Sequence, residues 1–364
     1  MRNQKIKAAV VGAGSWGTTF AKILCDAGTE TVIWARRHEV ADEINTSNRN
    51  SKYLQGINLP RDLRATSDLE EAVSGAQLVF LALPSQSMRE NLLNIAPFLR
   101  DDAILVSLVK GVEKQTNRRM SLVISEALEW SLDQVAVVSG PNIALEIAKE
   151  QPTGAVASCS DENVAQLVAK AASASYFRMF TNTDVIGTEL GGVLKNLIAL
   201  AIGIVDGVGY GENTKASIIT RGLAEMTDFA VASGAQPSTM IGLAGLGDLI
   251  TTCQSPLSRN STAGRLIGQG YSIEQTREAM NQVAEGISSI EPVLQLAAAR
   301  DVQMPIVEQV KMVLEGKMKP RELAPHLATE DDVPKPEVEM IGGGRLGFFQ
   351  RVRGLFGSSA EGKK

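Results

Sequence analysis

A glycine fingerprint near the N-terminus restricts the fold of this chain more than any other feature. Gly12, Gly14 and Gly17 form the pattern G-x-G-x-x-G, directly after the apolar run 6–11 and before a helical stretch at 16–27. In this setting the first glycine permits a tight turn, the second lets the backbone approach a pyrophosphate, and the third packs the helix against the strand. The helix N-terminus then presents free N–H groups to phosphates. The pattern predicts a bound dinucleotide, and a glycine-rich turn without a ligand is the less favoured alternative.

Short apolar runs alternate with helical stretches over the first half of the chain. Runs typical of buried strands recur at 31–35, 78–83, 103–107, 135–138, 153–158 and 176–180. Helical stretches lie between them, for example at 87–98, 118–130 and 161–174. The alternation predicts an α/β fold with a parallel, doubly wound sheet of the Rossmann type.

Strand signals stop near residue 183, and long helical segments follow. The longest apolar stretch, 197–205, is far shorter than the ~20 residues that span a bilayer, so it predicts a buried helix and no transmembrane segment. We expect a dinucleotide-binding domain at 1–183, a mainly α-helical substrate domain at 184–333, and a flexible tail at 334–364.

Length and charge agree with this division. The chain has 364 residues, which is too many for one ordinary core and favours two domains. Charged residues of both signs are spread along it and give a net charge of -5, so no broad basic surface is indicated and nucleic acid is not an expected partner.

Cysteine and histidine usage predicts neither a disulfide framework nor a metal site. The chain has 3 cysteines at wide spacings and 2 histidines. The N-terminal apolar run leads into the glycine turn instead of a cleavage site. These features favour a reducing, cytoplasmic location.

Two arginines follow the second predicted strand, where the cofactor is usually identified. An Asp or Glu there would bind the ribose 2′-hydroxyl of NAD, but this chain has Arg36 and Arg37. Arginine suits a 2′-phosphate and stacks on adenine. NADP(H) is therefore favoured and NAD(H) stays possible. The alternative for at least one of the pair is an ordinary solvated side chain.

Lys195 is the candidate catalytic residue. It lies in an apolar helical stretch close to Gly191 and Gly192. Glycine in a helix interior costs roughly 1 kcal/mol relative to alanine, so the pair indicates that another group approaches the backbone closely. An ammonium group beside a carbonyl that accepts a hydride supplies the proton for the oxygen. The alternative is a lysine whose amine reaches solvent at the domain edge.

Polar groups also follow other predicted strands and helices. Lys110 comes directly after the strand at 103–107, and Gly140 and Asn142 follow the strand at 135–138. Ligands bind beyond the carboxyl ends of the strands in an open α/β sheet, so these residues are expected near the nicotinamide. A surface lysine is the alternative for Lys110. Asp248, in a second glycine-rich segment, is expected to orient Lys195, with helix capping as its alternative.

A hydroxyl, a guanidinium and an amide stand in a row at Ser258, Arg259 and Asn260. This combination suits a phosphate monoester, and a solvated loop is the alternative. Glu285 is a further candidate polar contact, with a role at a helix start as its alternative.

Taken together, these motifs resemble the bacterial NAD(P)-dependent glycerol-3-phosphate dehydrogenase family. The shared segments run in the family's order from the N-terminus to about residue 328. They are 12–18, 83–86, 109–111, 139–141, 190–196, 220–225, 245–249, 258–260 and 285–286.

The resemblance implies reduction of dihydroxyacetone phosphate, a phosphorylated triose, to sn-glycerol 3-phosphate for glycerophospholipid synthesis. It implies that Lys195 donates or accepts the proton. The substrate ligands that it implies are Lys110, Gly140, Asn142, Lys195, Asp248, Ser258, Arg259 and Asn260. The implied cofactor ligands, beside the fingerprint glycines Gly12, Gly14 and Gly17, are Ser15, Trp16, Arg36, Arg37, Lys110, Ala144, Arg259, Val283 and Glu285.

Two features depart from the family. Asn142 stands where the family usually has Ser or Thr, and the tail after Pro334 extends past the family's usual end. The segment 345–356 alternates basic and apolar residues, so an amphipathic helix on a membrane surface is one interpretation, and disorder is the favoured one. A homodimer is a further open expectation.

Two other functions stay open at this point. One is a related two-domain dehydrogenase of a hydroxy acid or sugar acid, because a carboxylate binds the same groups as a phosphate. The other is a sensor that binds NADP(H) without turnover, which the combination of Lys195, Asp248 and Arg259 argues against.

Overall fold

An eight-stranded sheet with its connecting helices forms the N-terminal part of the described chain, and helices form the described residues that follow it. The structure is a computed structural model that describes residues 5–280 and 284–323. The strands are β1 Lys7–Val11, β2 Glu30–Trp34, β3 Arg64–Thr66, β4 Leu78–Leu81, β5 Ile104–Ser107, β6 Val135–Ser139, β7 Thr153–Ser158 and β8 Phe177–Asn182.

The strand order is β3-β2-β1-β4-β5-β6-β7-β8. All neighbouring pairs are parallel except β6 and β7, which are antiparallel. The predicted parallel, doubly wound sheet is therefore found, and the prediction of parallel pairing is wrong only at β6 and β7. The only helix between these two strands, Ala144–Ala148, has 5 residues and rises about 7.5 Å, too little to return the chain to the start of β6.

The described helices are α1 Ser15–Asp26, α2 His38–Ser47, α3 Leu69–Val73, α4 Met88–Ile95, α5 Met120–Leu128, α6 Ala144–Ala148, α7 Glu162–Ala172, α8 Val185–Val208, α9 Glu212–Ala232, α10 Pro237–Met240, α11 Asp248–Gln254, α12 Arg259–Gly268, α13 Ile273–Ala279, α14 Glu285–Ala298 and α15 Pro305–Leu314. A π-helical turn, Leu243–Gly247, precedes α11. The predicted change from strands to helices thus falls between β8 and α8, although the domain boundary itself stays a prediction.

Helix α8 is the centre of the helical part. It packs against α9, α11, α12, α14 and α15, and also against β6 of the sheet. Its length and apolar composition alone would let it cross a membrane, but 83% of that stretch is buried inside the protein. The prediction of a buried core helix is therefore confirmed.

Buried polar contacts fix α8 to the sheet. The carboxylate of Glu189 accepts from the backbone N–H of Ser121 at 2.8 Å, from its hydroxyl, and from the Arg119 guanidinium. At the preceding residue of α8, the hydroxyl of Thr188 lies 2.6 Å from that of Ser158 at the end of β7. Because these contacts precede Lys195 on the same helix, they set its position relative to the sheet.

Helices α8 and α12 approach each other so closely that only glycine fits between them. A Cβ on Gly264 would lie 2.2 Å from the carbonyl oxygen of Leu200, and one on Gly203 would lie 2.2 Å from the carbonyl oxygen of Ser261. Both obstacles are backbone atoms, which cannot rotate away. The absent side chains therefore bring α12, which begins at Arg259, against the helix that carries Lys195.

Gly264→Ala is expected to lower the free energy of unfolding by about 1–3 kcal/mol, the usual range for overpacking. Urea unfolding followed by circular dichroism measures the change. The matched control is Gly211→Ala at the start of α9, where a Cβ meets nothing within 4 Å. A loss for Gly264→Ala no larger than for the control would contradict the close packing.

Candidate active site

One buried carboxylate joins two lysines from different parts of the chain. Asp248 Oδ2 lies 2.6 Å from Lys110 Nζ, and Asp248 Oδ1 lies 3.0 Å from Lys195 Nζ. Asp248 is 1% exposed, and Lys195 is 7% exposed. The expectation that Asp248 pairs with Lys195 is confirmed, and the alternative that the Lys195 amine reaches solvent is wrong.

The glycines beside Lys195 make this arrangement possible. A Cβ on Gly191 would lie 2.5 Å from the carbonyl oxygen of Ala244, in the π-helical turn that leads to Asp248. A Cβ on Gly192 would lie 2.8 Å from Ser139 Oγ and 3.1 Å from Lys110 Cγ. The close approach predicted from the two glycines is therefore found, and the groups that approach are those that deliver Asp248 and Lys110.

The structure also excludes the alternative roles of Lys110 as a surface lysine and of Asp248 as a helix cap. Lys110 follows β5 and turns inward, where Nζ donates to the carbonyl oxygen of Gly140 at 2.9 Å. It is not a surface lysine, because its side chain is 15% exposed. Asp248 is the first residue of α11, whose N-cap is Gly247, and its carboxylate serves the lysines instead of capping the helix.

Burial beside Asp248 and Lys195 perturbs the proton equilibrium of Lys110. The pKa of Lys110 is lowered to about 8, chiefly because burial disfavours the ammonium form. The charge of Asp248 opposes this shift and the charge of Lys195 adds to it. Lys110 therefore titrates much closer to neutral pH than an exposed lysine does.

Sequence reasoning missed two residues of this cluster. Thr252 accepts from Lys195 Nζ at 2.6 Å, and its hydroxyl lies 3.3 Å from Asp248 Oδ1. Thr252 is four residues after Asp248 on α11, so the helical spacing was the available signal. Asn196, adjacent to Lys195, accepts from the side-chain amide of Asn260 at 2.8 Å.

The predicted phosphate-binding residues lie at the start of α12. Ser258 is the N-cap, and its hydroxyl accepts from the backbone N–H of Ser261 at 3.2 Å. Arg259 opens the helix, and the side-chain oxygen Oδ1 of Asn260 accepts from the backbone N–H of Gly286 at 2.9 Å. The solvated-loop alternative is wrong for Ser258 and Asn260, which are 4% and 7% exposed.

Glu285 opens α14 and faces the same region. A Cβ on Gly111 would meet Ser85 at 2.6 Å and Glu285 Oε2 at 3.8 Å, so these three residues converge beside Lys110. Burial raises the pKa of Glu285, while the charges of Arg259, Lys195 and Lys110 act in the opposite direction. Val283, the other predicted cofactor contact here, lies outside the described residues.

The glycine turn at the N-terminus of α1 fits a dinucleotide pyrophosphate. Gly12 has φ +117°, and a Cβ there would lie 2.5 Å from the carbonyl oxygen of Ala82. A Cβ on Gly17 would lie 1.9 Å from the carbonyl oxygen of Gly12, so only glycine fits there. A Cβ on Gly14, in contrast, would have no atom within 4 Å. Gly14 is the N-cap of α1 and provides no side-chain cap. The turn therefore offers open space and uncapped amides to an anion.

Buried polar atoms without partners lie at the start of α1 and in the segment from the end of β6 to the start of α6. Among the described residues, the Trp16 indole N–H, the Ser139 hydroxyl and both polar atoms of the Asn142 side chain have no hydrogen-bond partner. Buried polar groups are normally satisfied, so a bound group is expected to complete them. Ala144, the remaining predicted contact, begins α6 and accepts through its carbonyl from Thr19 at 3.3 Å.

The two arginines after β2 differ in environment. Arg36 is exposed, whereas Arg37 is half-buried and donates through Nη2 to the hydroxyl of Tyr53 at 3.1 Å. Ser15 on α1 donates to the carbonyl oxygen of Tyr53 at 2.8 Å. Sequence reasoning did not single out Tyr53, because it follows α2 without any motif.

A glycine turn of the dinucleotide-binding type at the sheet, together with a buried lysine paired to a carboxylate in the helical part, is typical of two-domain NAD(P)-dependent dehydrogenases. Comparison with known proteins specifies the family. The model of the NAD-dependent glycerol-3-phosphate dehydrogenase N-terminus matches residues 7–165, and that of its C-terminus matches residues 184–325. The chain belongs to the NAD-dependent glycerol-3-phosphate dehydrogenase family, and is accordingly an oxidoreductase.

Curated relatives agree along most of the chain. A glycerol-3-phosphate dehydrogenase [NAD(P)+] from Leifsonia xyli is 64% identical over 323 residues, covering 89% of this chain and 88% of the relative. One from Streptomyces griseus is 55% identical and covers 86% of this chain and 93% of the relative. NAD(H) and NADP(H) both fit these relatives.

Solved structures confirm the predicted fold. The crystal structure of glycerol-3-phosphate dehydrogenase from Coxiella burnetii has a TM-score of 0.83 and 32% identity, covering 89% of this chain and 98% of that one. A ketopantoate reductase from Ralstonia eutropha has a TM-score of 0.57 at 18% identity, with coverage of 86% and 99%. At that identity the likeness shows the fold alone, so it does not favour the hydroxy-acid alternative.

The lowered pKa of Lys110 predicts a distinct pH dependence of stability. The unfolded chain binds this proton up to about pH 10.5, and the folded protein releases it near pH 8. Folded protein therefore binds fewer protons in this window, and its stability rises with pH there. The unfolding free energy of the wild type minus that of Lys110→Met should therefore increase by about 2 kcal/mol when the pH is raised from 7 to 9.5.

Urea unfolding at the two pH values measures this difference, with Lys170→Met on the exposed face of α7 as the matched control. A difference between wild type and Lys110→Met that is the same at both pH values would contradict the shifted pKa.

Proposed function

We propose that this enzyme reduces dihydroxyacetone phosphate to sn-glycerol 3-phosphate with Lys195 as the proton donor, and that it catalyses the reverse reaction with the same groups. The observation that carries the assignment of Lys195 is its buried contact with Asp248, beside Lys110. Bound NAD(P)H supplies the hydride that adds to the carbonyl carbon. The residues of the chain then have to supply a proton, stabilise negative charge on the oxygen and hold the phosphate.

Each lysine of the pair has one N–H group left for the substrate. An ammonium group has three donors. Lys195 uses one on Thr252 and one on Asp248, and Lys110 uses one on Gly140 and one on Asp248. The remaining donors are expected to meet at the substrate oxygen.

The charge of the cluster suits the transition state. Two ammonium groups and one carboxylate have a formal charge of +1, which complements the alkoxide that develops during reduction. Because Asp248 already orients both amines, little reorganisation is needed at that moment. Lys195 transfers its proton to this oxygen, and Lys110 adds positive charge beside it.

We place the substrate phosphate at the N-terminus of α12. The helix dipole, the guanidinium of Arg259 and the side-chain amide of Asn260 all favour an anion there. Asn260 is held by Asn196 and Gly286, and Ser258 completes the turn. This placement supports binding of a phosphate monoester over a carboxylate, which offers fewer acceptor oxygens.

We assign the cofactor to the glycine turn and its surroundings. Gly12, Gly14 and Gly17, with Ser15 and Trp16, would hold the pyrophosphate, and Arg36 and Arg37 the adenosine end. Gly140, Asn142, Ala144, Lys110, Arg259 and Glu285 would surround the nicotinamide, with Val283 retained as a prediction.

We further propose a cytoplasmic enzyme that supplies glycerophospholipid synthesis. The three cysteines, Cys25, Cys159 and Cys253, are free thiols, which suits a reducing compartment. A homodimer stays a prediction for size-exclusion chromatography. The tail at 334–364 lies outside the described residues, and equal liposome binding with and without 335–364 would end the membrane interpretation.

Lys195→Ala is expected to lower kcat by about 10²–10⁴-fold, the usual contribution of a general acid. The Kd of NADPH should change by less than about threefold, because the lysine is assigned to the substrate oxygen. Stopped-flow turnover and isothermal titration calorimetry measure the two quantities, with Lys170→Ala as the control. Near-normal turnover would refute the role of Lys195.

Substrate choice separates the remaining functions. NADPH oxidation should be at least about 10²-fold faster, as kcat/KM, with dihydroxyacetone phosphate than with simple 2-keto acids, because buried polar groups left unpaired penalise the wrong substrate. Faster reaction with a keto acid would favour the hydroxy-acid dehydrogenase. Binding of NADPH without turnover of either substrate would favour the sensor.

A further inference from the structure

A basic and aromatic cluster lies beside the glycine turn, formed by Arg37, Lys52 and Tyr53 (the Tyr53 cluster), and Arg36 precedes Arg37 in the chain. We propose that Lys52 and Tyr53 determine specificity for the 2′-phosphate of NADP(H): Lys52 by charge, and Tyr53 as a positioning residue that holds Arg37. The proposal rests on the proposed function, because it requires a dinucleotide at the glycine turn.

The ring of Tyr53 holds cations from two different segments. Arg37 donates to its hydroxyl at 3.1 Å, and the guanidinium carbon lies 5.6 Å from the ring centroid. Lys52 Nζ lies 5.7 Å from the same centroid. These distances are within the range of cation–π attraction, so Tyr53 brings Arg37 and Lys52 to one place.

Tyr53 is hydrogen-bonded to the first residue of α1, directly after the glycine turn. Its carbonyl oxygen accepts from Ser15 at 2.8 Å. Three residues earlier, the fully buried Asn50 donates to the carbonyl oxygen of Ala13 at 3.0 Å and to the Thr18 hydroxyl at 2.8 Å. The loop that carries Lys52 and Tyr53 is therefore fixed to the glycine turn, and the cations are fixed relative to the ribose that a bound dinucleotide would place there.

The charges of the Tyr53 cluster are not balanced within the described ranges. No carboxylate of residues 5–280 or 284–323 lies within ion-pair distance of Arg36, Arg37 or Lys52. The chain after β2 also has no Asp or Glu at the position that would bind the 2′-hydroxyl of NAD. Neighbouring cations repel each other, and a 2′-phosphate supplies the absent negative charge.

Isothermal titration calorimetry with NADPH and NADH tests the proposal without turnover. Wild type is expected to bind NADPH at least about tenfold more tightly than NADH. Tyr53→Phe and Lys52→Ala should each weaken NADPH binding by about three- to tenfold and change NADH binding by less than about twofold. The matched control is Arg49→Ala in the same loop, because Arg49 donates to Asn58 at 3.3 Å and not to Tyr53. It should leave both affinities unchanged.

Fragments of the cofactor give a second readout. The ratio of affinities for 2′,5′-ADP and 5′-AMP should fall in Tyr53→Phe and Lys52→Ala and stay unchanged in Arg49→Ala. Equal losses for NADPH and NADH in Tyr53→Phe would mean a merely structural role and would overturn the proposal. So would equal binding of the two dinucleotides by wild type, or an Arg49→Ala effect as large as that of Lys52→Ala. Binding of neither dinucleotide would instead refute the proposed function.

Discussion

The site depends on one buried ionic contact, in which Asp248 neutralises part of the charge of Lys110 and Lys195. Two ammonium groups cannot be buried side by side at acceptable cost without such a partner, since removing one member of a buried ion pair typically costs 3–5 kcal/mol. The carboxylate also gives each amine a direction. The same contact therefore explains how the cations tolerate burial, and it orients the two amines that we propose to meet at the substrate oxygen.

Close backbone packing lets three separate segments lie against α8, the helix that carries Lys195. Gly191 and Gly192 admit the π-helical turn and the stem of Lys110 against α8, and Gly264 admits α12. The start of α12, where we propose the phosphate binds, is thus held against the helix that carries Lys195. The hydrogen bond between Glu189 and the start of α5 also fixes α8 relative to the sheet domain, where the dinucleotide is expected.

Sequence patterns predicted those parts of the fold that have a local signal. Continuous apolar runs indicated the buried strands, and the glycine pair indicated a close approach at α8. The edge strand β3 was missed because 3 residues give no periodicity. The antiparallel direction of β7 was missed because strand composition does not encode direction. Asp248 was predicted from its glycine-rich setting, whereas Thr252, Asn196 and Tyr53 act through neighbours that only tertiary structure supplies.

A crystal structure with dihydroxyacetone phosphate and the oxidised cofactor would show which group binds the substrate carbonyl oxygen. We expect Lys195 Nζ within about 3.2 Å of that oxygen, the upper range of a hydrogen bond, while it keeps its contact with Asp248. A complex in which that oxygen is bound by other groups, with the Lys195 amine directed elsewhere, would contradict it.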